Sequence, residues 1–301
     1  MSEIIVQFRR LLEIKPLWLL IYLLKAVMAI FLVMPFYATY DSVLSSSLFS
    51  KSLIEHWDLS VIVELLSDRG NALPALLMVL VVGVIIYMFI MQFINGGLYY
   101  VVVSRRFPPL NWRDFFAECG SGFSTNIKIM LMMMLVYTLL IPAGMFFIGI
   151  ISVAGGHLIG KAALIFSVFR LAIMFIILLA ASIFSDSVRA AASAYPERSF
   201  REVLKIGAEF FKPRLGKLLI IFLTTYIPFL LIWGVVELLS LHSVGRIGGA
   251  VGISLEFILF QIAAATRTGQ KLWYLVILGN NFNKISPGRF VPLQAELRLD
   301  S

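Results

Sequence analysis

The chain has 301 residues, 60% of them hydrophobic and 14% charged, with a mean hydropathy of +0.94 and a formal net charge of +8. That composition lies outside the range of soluble domains and excludes a globule surrounded by water. The single cysteine, Cys119, excludes an internal disulfide and a cysteine-rich metal site.

Residues 3–14 are amphipathic, Lys15 and Pro16 end that stretch, and an apolar run follows. Arg9, Arg10 and Lys15 before an apolar core could be mistaken for a signal peptide. The core is much longer than a secretory h-region and no cleavage pattern follows it promptly, so a retained anchor is expected. Runs of about 20 apolar residues, enough to cross roughly 30 Å of hydrocarbon, fall at 17–37, 73–94, 129–151, 163–184, 218–240 and 249–266. Lipid cannot satisfy backbone N–H and C=O groups, and the runs lack the period-two alternation of a barrel, so each is expected to be a helix. The predicted fold is all-α: a polytopic membrane bundle of six transmembrane helices.

Two cytoplasmic segments share one formula, FPPLNWRDFF at 107–116 and YPERSFREVL at 195–204. Without gaps, Asn111 aligns with Ser199, Trp112 with Phe200, Arg113 with Arg201, Asp114 with Glu202 and Phe123 with Phe211. Asn or Ser followed three residues later by an acid is helix-start chemistry, a capping box with an acid at the positive helix end. In the second copy Phe200, Val203, Leu204, Gly207, Phe210 and Phe211 recur at helical spacing, with Arg201, Lys205, Glu209 and Lys212 elsewhere. Such helices are expected to lie along the membrane surface, with Trp112, Arg113, Phe115, Phe116, Phe200, Arg201, Lys205, Phe210, Phe211, Lys212 and Arg214 facing the interface.

Pro213 stops the second copy as Pro16 stops the N-terminal stretch. Three pseudo-repeated units of interfacial helix plus helical hairpin therefore divide a single membrane domain, at about 1–106, 107–194 and 195–285, with an irregular tail over 286–301. Pro35, Pro142 and Pro228 fall inside spans one, three and five, where each removes a backbone hydrogen bond and predicts a kink. The segments after spans two, four and six, GGLYYVVVSRR, SDSVRAAASA and RTGQKLWYLVIL, continue as helices and are expected to pack on the surface helices as a collar. Irregular structure is expected beyond about Asn280.

Sidedness follows from the cations. Segments 1–16, 95–126, 186–217 and 267–301 carry three, three, seven and five Lys or Arg residues, whereas 38–72, 152–162 and 241–248 carry two, one and one. That asymmetry places both termini in the cytoplasm and the chain in the inner membrane, where its charge suits anionic phospholipids rather than nucleic acid.

The layout of six spans with Arg-containing surface helices, above all DSVRAAASAYPERSFREVLKIGAEFFKPRLGKLL before span five, resembles a broad group of bacterial six-span proteins similar to the membrane domain attached to some glycerophosphodiester phosphodiesterases. The catalytic barrel of those enzymes has no counterpart in these residues, so the resemblance implies no catalytic residue.

GGHLIGKA at 155–162 fits part of a phosphate-binding loop, but Ala162 lacks the hydroxyl for magnesium and no strand precedes it, so the glycines read as a turn. His56, His157 and His242 fall one in each external segment, a conceivable metal set that lacks ligand spacing; ordinary interfacial histidines are the plainer reading, and no cofactor is expected. Charges inside spans are costly, at least about 2.5 kcal/mol each. Lys25, Arg170, Glu237 and Glu256 are the candidates. Arg170 and Glu256 both lie roughly 10–12 Å from the outer boundary at 1.5 Å per residue, so a pair is expected, fixing packing or lining a polar path. No catalytic triad, metalloprotease motif or nucleophile elbow occurs. The leading expectation is a non-enzymatic scaffold or subunit engaging lipids and other membrane subunits through its basic collar. The alternative is a permease-like protein with a polar path near Arg170 and Glu256.

Overall fold

The computed structural model describes residues 2–44, 72–103, 111–154, 161–241 and 249–285, and these are helical almost throughout, with no strand among the described residues. The helices are α1 (Ser2–Glu13), α2 (Lys15–Leu44), α3 (Ala72–Val103), α4 (Trp112–Ala154), α5 (Lys161–Ala194), α6 (Phe200–Phe211), α7 (Leu215–Leu239) and α8 (Gly249–Ile285), with a 3-10 turn, Lys212–Arg214, between α6 and α7. Five stretches are long and apolar enough to cross a membrane: Lys15–Pro35, Leu77–Val103, Trp112–Ile150, Leu164–Ala194 and Phe200–Leu239. The sixth apolar run, 249–266, lies in the first half of α8.

The chain divides into two compact units, Pro16–Met91 and the remainder. The smaller contains α2 and the first part of α3, and Phe31, Met34 and Met78 are exposed along its helices. In the larger unit burial is strongly graded along each helix. Leu135, Phe146, Leu164, Leu171, Leu231 and Phe257 are exposed in the apolar bands, whereas Val103, Phe115, Ile183, Val188, Tyr274 and Phe282 toward the other ends are fully buried. Apolar bands bare of protein are what membrane-embedded helices present to lipid, and the packed ends form a core of the soluble kind.

That core is where the helix extensions meet the short helices. Phe8 of α1 meets Trp273 edge-on at 5.2 Å, and Phe210 of α6 lies 5.0 Å from Phe282 of α8. Glycines set close approaches, as at Gly97 and Gly207. A methyl group on Gly97 of α3 would lie 2.6 Å from the Phe115 carbonyl oxygen of α4, and one on Gly207 of α6 would lie 2.8 Å from Val188 Cα of α5. Each is a backbone-to-backbone contact that no side chain could yield to.

The two related segments begin their helices differently. Ser199 accepts from the Glu202 amide at 3.4 Å and its own amide donates to the Glu202 carboxylate at 3.0 Å, a complete capping box. At the first copy Asn111 Oδ1 accepts from the Arg113 amide at 3.1 Å, while its Nδ2 donates to the Asp114 carboxylate at 3.0 Å. The longer amide side chain holds the acid by its own donor, so the backbone half of the box does not form. A second difference is larger. α6 ends at Phe211, before Lys212–Pro213, and α1 ends before Lys15–Pro16, but α4 runs unbroken from Trp112 to Ala154. No proline stands at the matching positions Ser124 and Thr125, so nothing separates the surface segment from the span.

Helix assignment is also continuous across Pro35, Pro142 and Pro228. Four residues before the last two, Thr138 and Thr224 donate to the carbonyls of Met134 and Ile220, each at 2.8 Å. The C-terminal boundary is corrected: α8 stays helical past Asn280 to Ile285, because Phe282 and Asn283 are buried against the core.

Gly207→Ala should lower the thermal midpoint of the detergent-solubilised protein, the overpacking costing about 1–3 kcal/mol. Gly216→Ala, which meets no atom within 4 Å, should leave it unchanged or raise it. Equal midpoints for the two variants would contradict the α5–α6 approach.

Candidate functional site

Polar residues enter the packed end at helical spacing. Gln92, Asn95 and Tyr99 share one face of α3, Asp186 and Arg189 are one turn apart on α5, and Gln270, Lys271 and Tyr274 come from α8. They converge on the Asp186 carboxylate, which is 2% exposed. Tyr99 donates its hydroxyl proton to Asp186 Oδ1 at 2.6 Å, Lys271 Nζ pairs with Oδ2, and Arg189 Nη1 lies 3.9 Å from Oδ1. Arg189 Nη2 in turn donates to Gln92 Oε1 at 3.1 Å, where Asn95 Nδ2 also donates at 3.4 Å.

A carboxylate taken out of water costs several kcal/mol unless cations and donors replace its hydration. Asp186 has two cations and a phenol, drawn from three helices, so its negative charge is both neutralised and positioned. Lys271 also stands over the Tyr274 ring at 5.1 Å. Tyr274 is fully buried, and burial, reinforced by the Asp186 charge, pushes its hydroxyl well above the ordinary tyrosine range. The phenol therefore stays protonated. The arrangement ties α3, α5 and α8 together at one point.

A second set of contacts extends the lock. Gln270 donates to Thr225 Oγ1 at 3.3 Å, Arg267 donates to Gln270 Oε1 at 2.9 Å and lies 4.6 Å over the Tyr226 ring, and Lys217 donates to Asn281 Oδ1 at 3.1 Å. Asn283 Nδ2 donates to the Val103 carbonyl, tying α8 to the end of α3.

Among the charges singled out in the sequence, Arg170 donates to Ser167 Oγ at 3.0 Å and stands over the Phe166 ring at 5.3 Å, both on its own helix. Glu256 accepts from Ser240 Oγ at 2.9 Å. Glu237 and Lys25 are half-buried.

Of the residues expected at the interface, Trp112, Arg113, Phe116, Arg201, Lys205 and Lys212 are exposed, and Phe200, Phe211 and Arg214 are half-buried. Phe115 and Phe210 are core residues, 1% and 3% exposed, because they lie on the helix face that α3 and α8 cover. Arg214 reaches back to the Phe210 carbonyl at 3.2 Å and satisfies the end of α6. His56, His157 and His242 lie outside the described residues. Among the described residues no three His, Cys, Asp or Glu side chains gather as a metal site.

The sequence reading missed Asp186, Tyr99, Lys271 and Gln92. Their signal was present: polar residues at i, i+3 and i+7 within the helical extensions SDSVR, QFINGGLYY and TGQKLWY. Compared with family models, curated proteins and solved structures, the chain finds no match in any of the three.

Asp186→Asn should destabilise the protein by about 3 kcal/mol, because it strands Lys271 and Arg189 against a neutral partner. Lys271→Met should cost less, since its side chain is 36% exposed. Thermal midpoints of the two single variants and the double variant should show the double costing less than the sum, and simple additivity would mean the pair contributes no coupling.

Proposed function

We propose that this chain is a non-enzymatic integral membrane protein of six spans in three pseudo-repeated units, which engages anionic lipid and partner subunits through the outer faces of its packed end. The observation that supports this most is the division of its polar residues into two sets. The inward set, around Asp186, is consumed by internal contacts. The outward set, Arg113, Arg201, Lys205 and Lys212, stays exposed beside the apolar bands.

Trp112, 41% exposed, stacks on Phe116 at 6.2 Å next to Arg113, the pairing of aromatic and cation that suits a headgroup layer. Lys205 lies 4.0 Å from Glu209 within α6, and Arg198, just before that helix, lies 3.6 Å from Glu202 in its first turn; both pairs are largely exposed. Exposed pairs of that kind are worth under about 1 kcal/mol, so they leave the cations open to phosphate. The positive-inside asymmetry favours the cytoplasmic membrane with both termini and the packed end inside. The resemblance to bacterial six-span proteins agrees with this reading.

Cys119 cannot report sidedness, because its side chain is fully buried between α3 and α4. In a Cys119→Ser background, Lys205→Cys should react with an impermeant maleimide only after cells are opened. Labelling in intact cells would reverse the topology.

For lipid contact, brominated phosphatidylglycerol should quench tryptophan fluorescence more than brominated phosphatidylcholine, and Trp112→Phe should remove the difference. Replacing Arg113, Arg201, Lys205 and Lys212 with Gln should lower the preference by up to about five-fold per charge, from about 1 kcal/mol each. Equal quenching by the two lipids would sink the anionic-lipid reading.

A further inference from the structure

Beside the Asp186 network, between α3, α4 and α5, lies a polar cavity of about 50 Å³. Tyr99 and Asn126, both buried, line its inner part, Ser121 stands exposed at its edge, and Thr125, Arg189 and Ser193 line it as well. Asn126 is 5% exposed and donates its Nδ2 to the Gly122 carbonyl at 3.0 Å, yet its Oδ1 accepts from no group among the described residues. The Nε–H of Arg189 is likewise without an acceptor among the described residues, although both terminal nitrogens of that guanidinium are engaged.

A buried acceptor and a buried donor left unmet cost about 1–3 kcal/mol each. A group that relieves both must accept and donate. Ammonium only donates and a phosphodiester only accepts, whereas a hydroxyl does both. Charge leads to the same choice. Arg189 already faces Asp186, and Glu118 also lines the cavity, so the walls do not call for another full charge. The Ser121 hydroxyl already donates to Glu118 at 3.1 Å and so offers only an acceptor, whereas the hydroxyls of Thr125 and Ser193 line the cavity as both donors and acceptors. One water occupies about 10–15 Å³ of such volume, so the cavity has room for roughly three to five oxygen-sized groups, a short polyol.

Depth sets the source. Asn126 is buried at the packed end, and within three turns along α4 Leu131 and Leu135 are 56% and 63% exposed in the apolar band. On the membrane reading proposed above, on which this inference rests, the cavity lies at the level of lipid headgroups. The geometry points to a binding site for a glycerol-sized, hydroxyl-bearing headgroup, held by Asn126, Arg189 and the surrounding hydroxyls.

The test is native mass spectrometry of the full chain released from micelles holding equimolar phosphatidylglycerol and phosphatidic acid with the same acyl chains. Both lipids are anionic and both are drawn to the basic faces, but only the first carries free hydroxyls. The wild type should retain phosphatidylglycerol about tenfold over phosphatidic acid, the worth of one or two hydrogen bonds. Ser193→Leu, which fills the cavity, should bring the two lipids to one level. If that variant loses its helical circular dichroism, Thr125→Val replaces it, with the same expected loss of preference.

Glycerol added in excess separates the sources. Displacement of the lipid means that a free polyol suffices, and no displacement means that the acyl chains contribute. Equal retention of the two lipids by the wild type overturns the headgroup site while leaving the anionic-lipid reading standing. Retention of neither overturns both, and an unchanged preference in the filled variant places the selectivity elsewhere.

Discussion

The structure depends on the desolvation of one carboxylate. Asp186, on α5, can be buried only if its charge is met, and the groups that meet it come from α3, from α8 and from one turn further along α5. Such a centre ties three helices at a single point. A purely apolar contact is non-directional and would fix the register of the helices less sharply. A carboxylate flanked by a lysine, an arginine and a phenol has one geometry that satisfies all of them.

Around that centre the same chain solves two solvent problems. In the apolar bands the helices leave large side chains such as Phe146 and Leu171 uncovered, because lipid is an adequate neighbour. At the packed end, where the outside is water and headgroups, the helices close on one another through glycine contacts and aromatic pairs such as Phe222–Tyr274 at 5.2 Å. The short helices α1 and α6 cover that end. Their buried residues, Leu11, Val203 and Phe210, are the inward stripes of amphipathic segments. What remains outward is cationic and aromatic, the chemistry of an anionic interface.

Local rules carried some distance. The capping box at Ser199 and the break at Pro213 follow from residue types within a few positions of one another, and each stands as read. Asn111 shows where the rule gave out: a side chain one atom longer than serine reached the N2 amide and held Asp114 by its own donor. The continuity of α4 shows the same limit, since a repeat of aromatic, Arg and acid does not reproduce a break that proline alone imposes. Depth along a helix is readable from spacing, whereas rotation about its axis is not, and the Ser240 partner of Glu256 was not legible in the sequence.

Sequence alone determined that the chain is helical, rich in membrane-length apolar runs, basic on its flanks and punctuated by prolines, because those properties depend on composition and periodicity within a single segment. Only the tertiary structure decided that Asp186, Tyr99 and Lys271 share a site, that Phe115, Phe210 and Cys119 are core, and that Arg189 and Asn126 line a common cavity. Residues 87 and 85 positions apart meet there. Which faces of which helices adjoin is set by the joint packing of all of them, and no single segment contains that information.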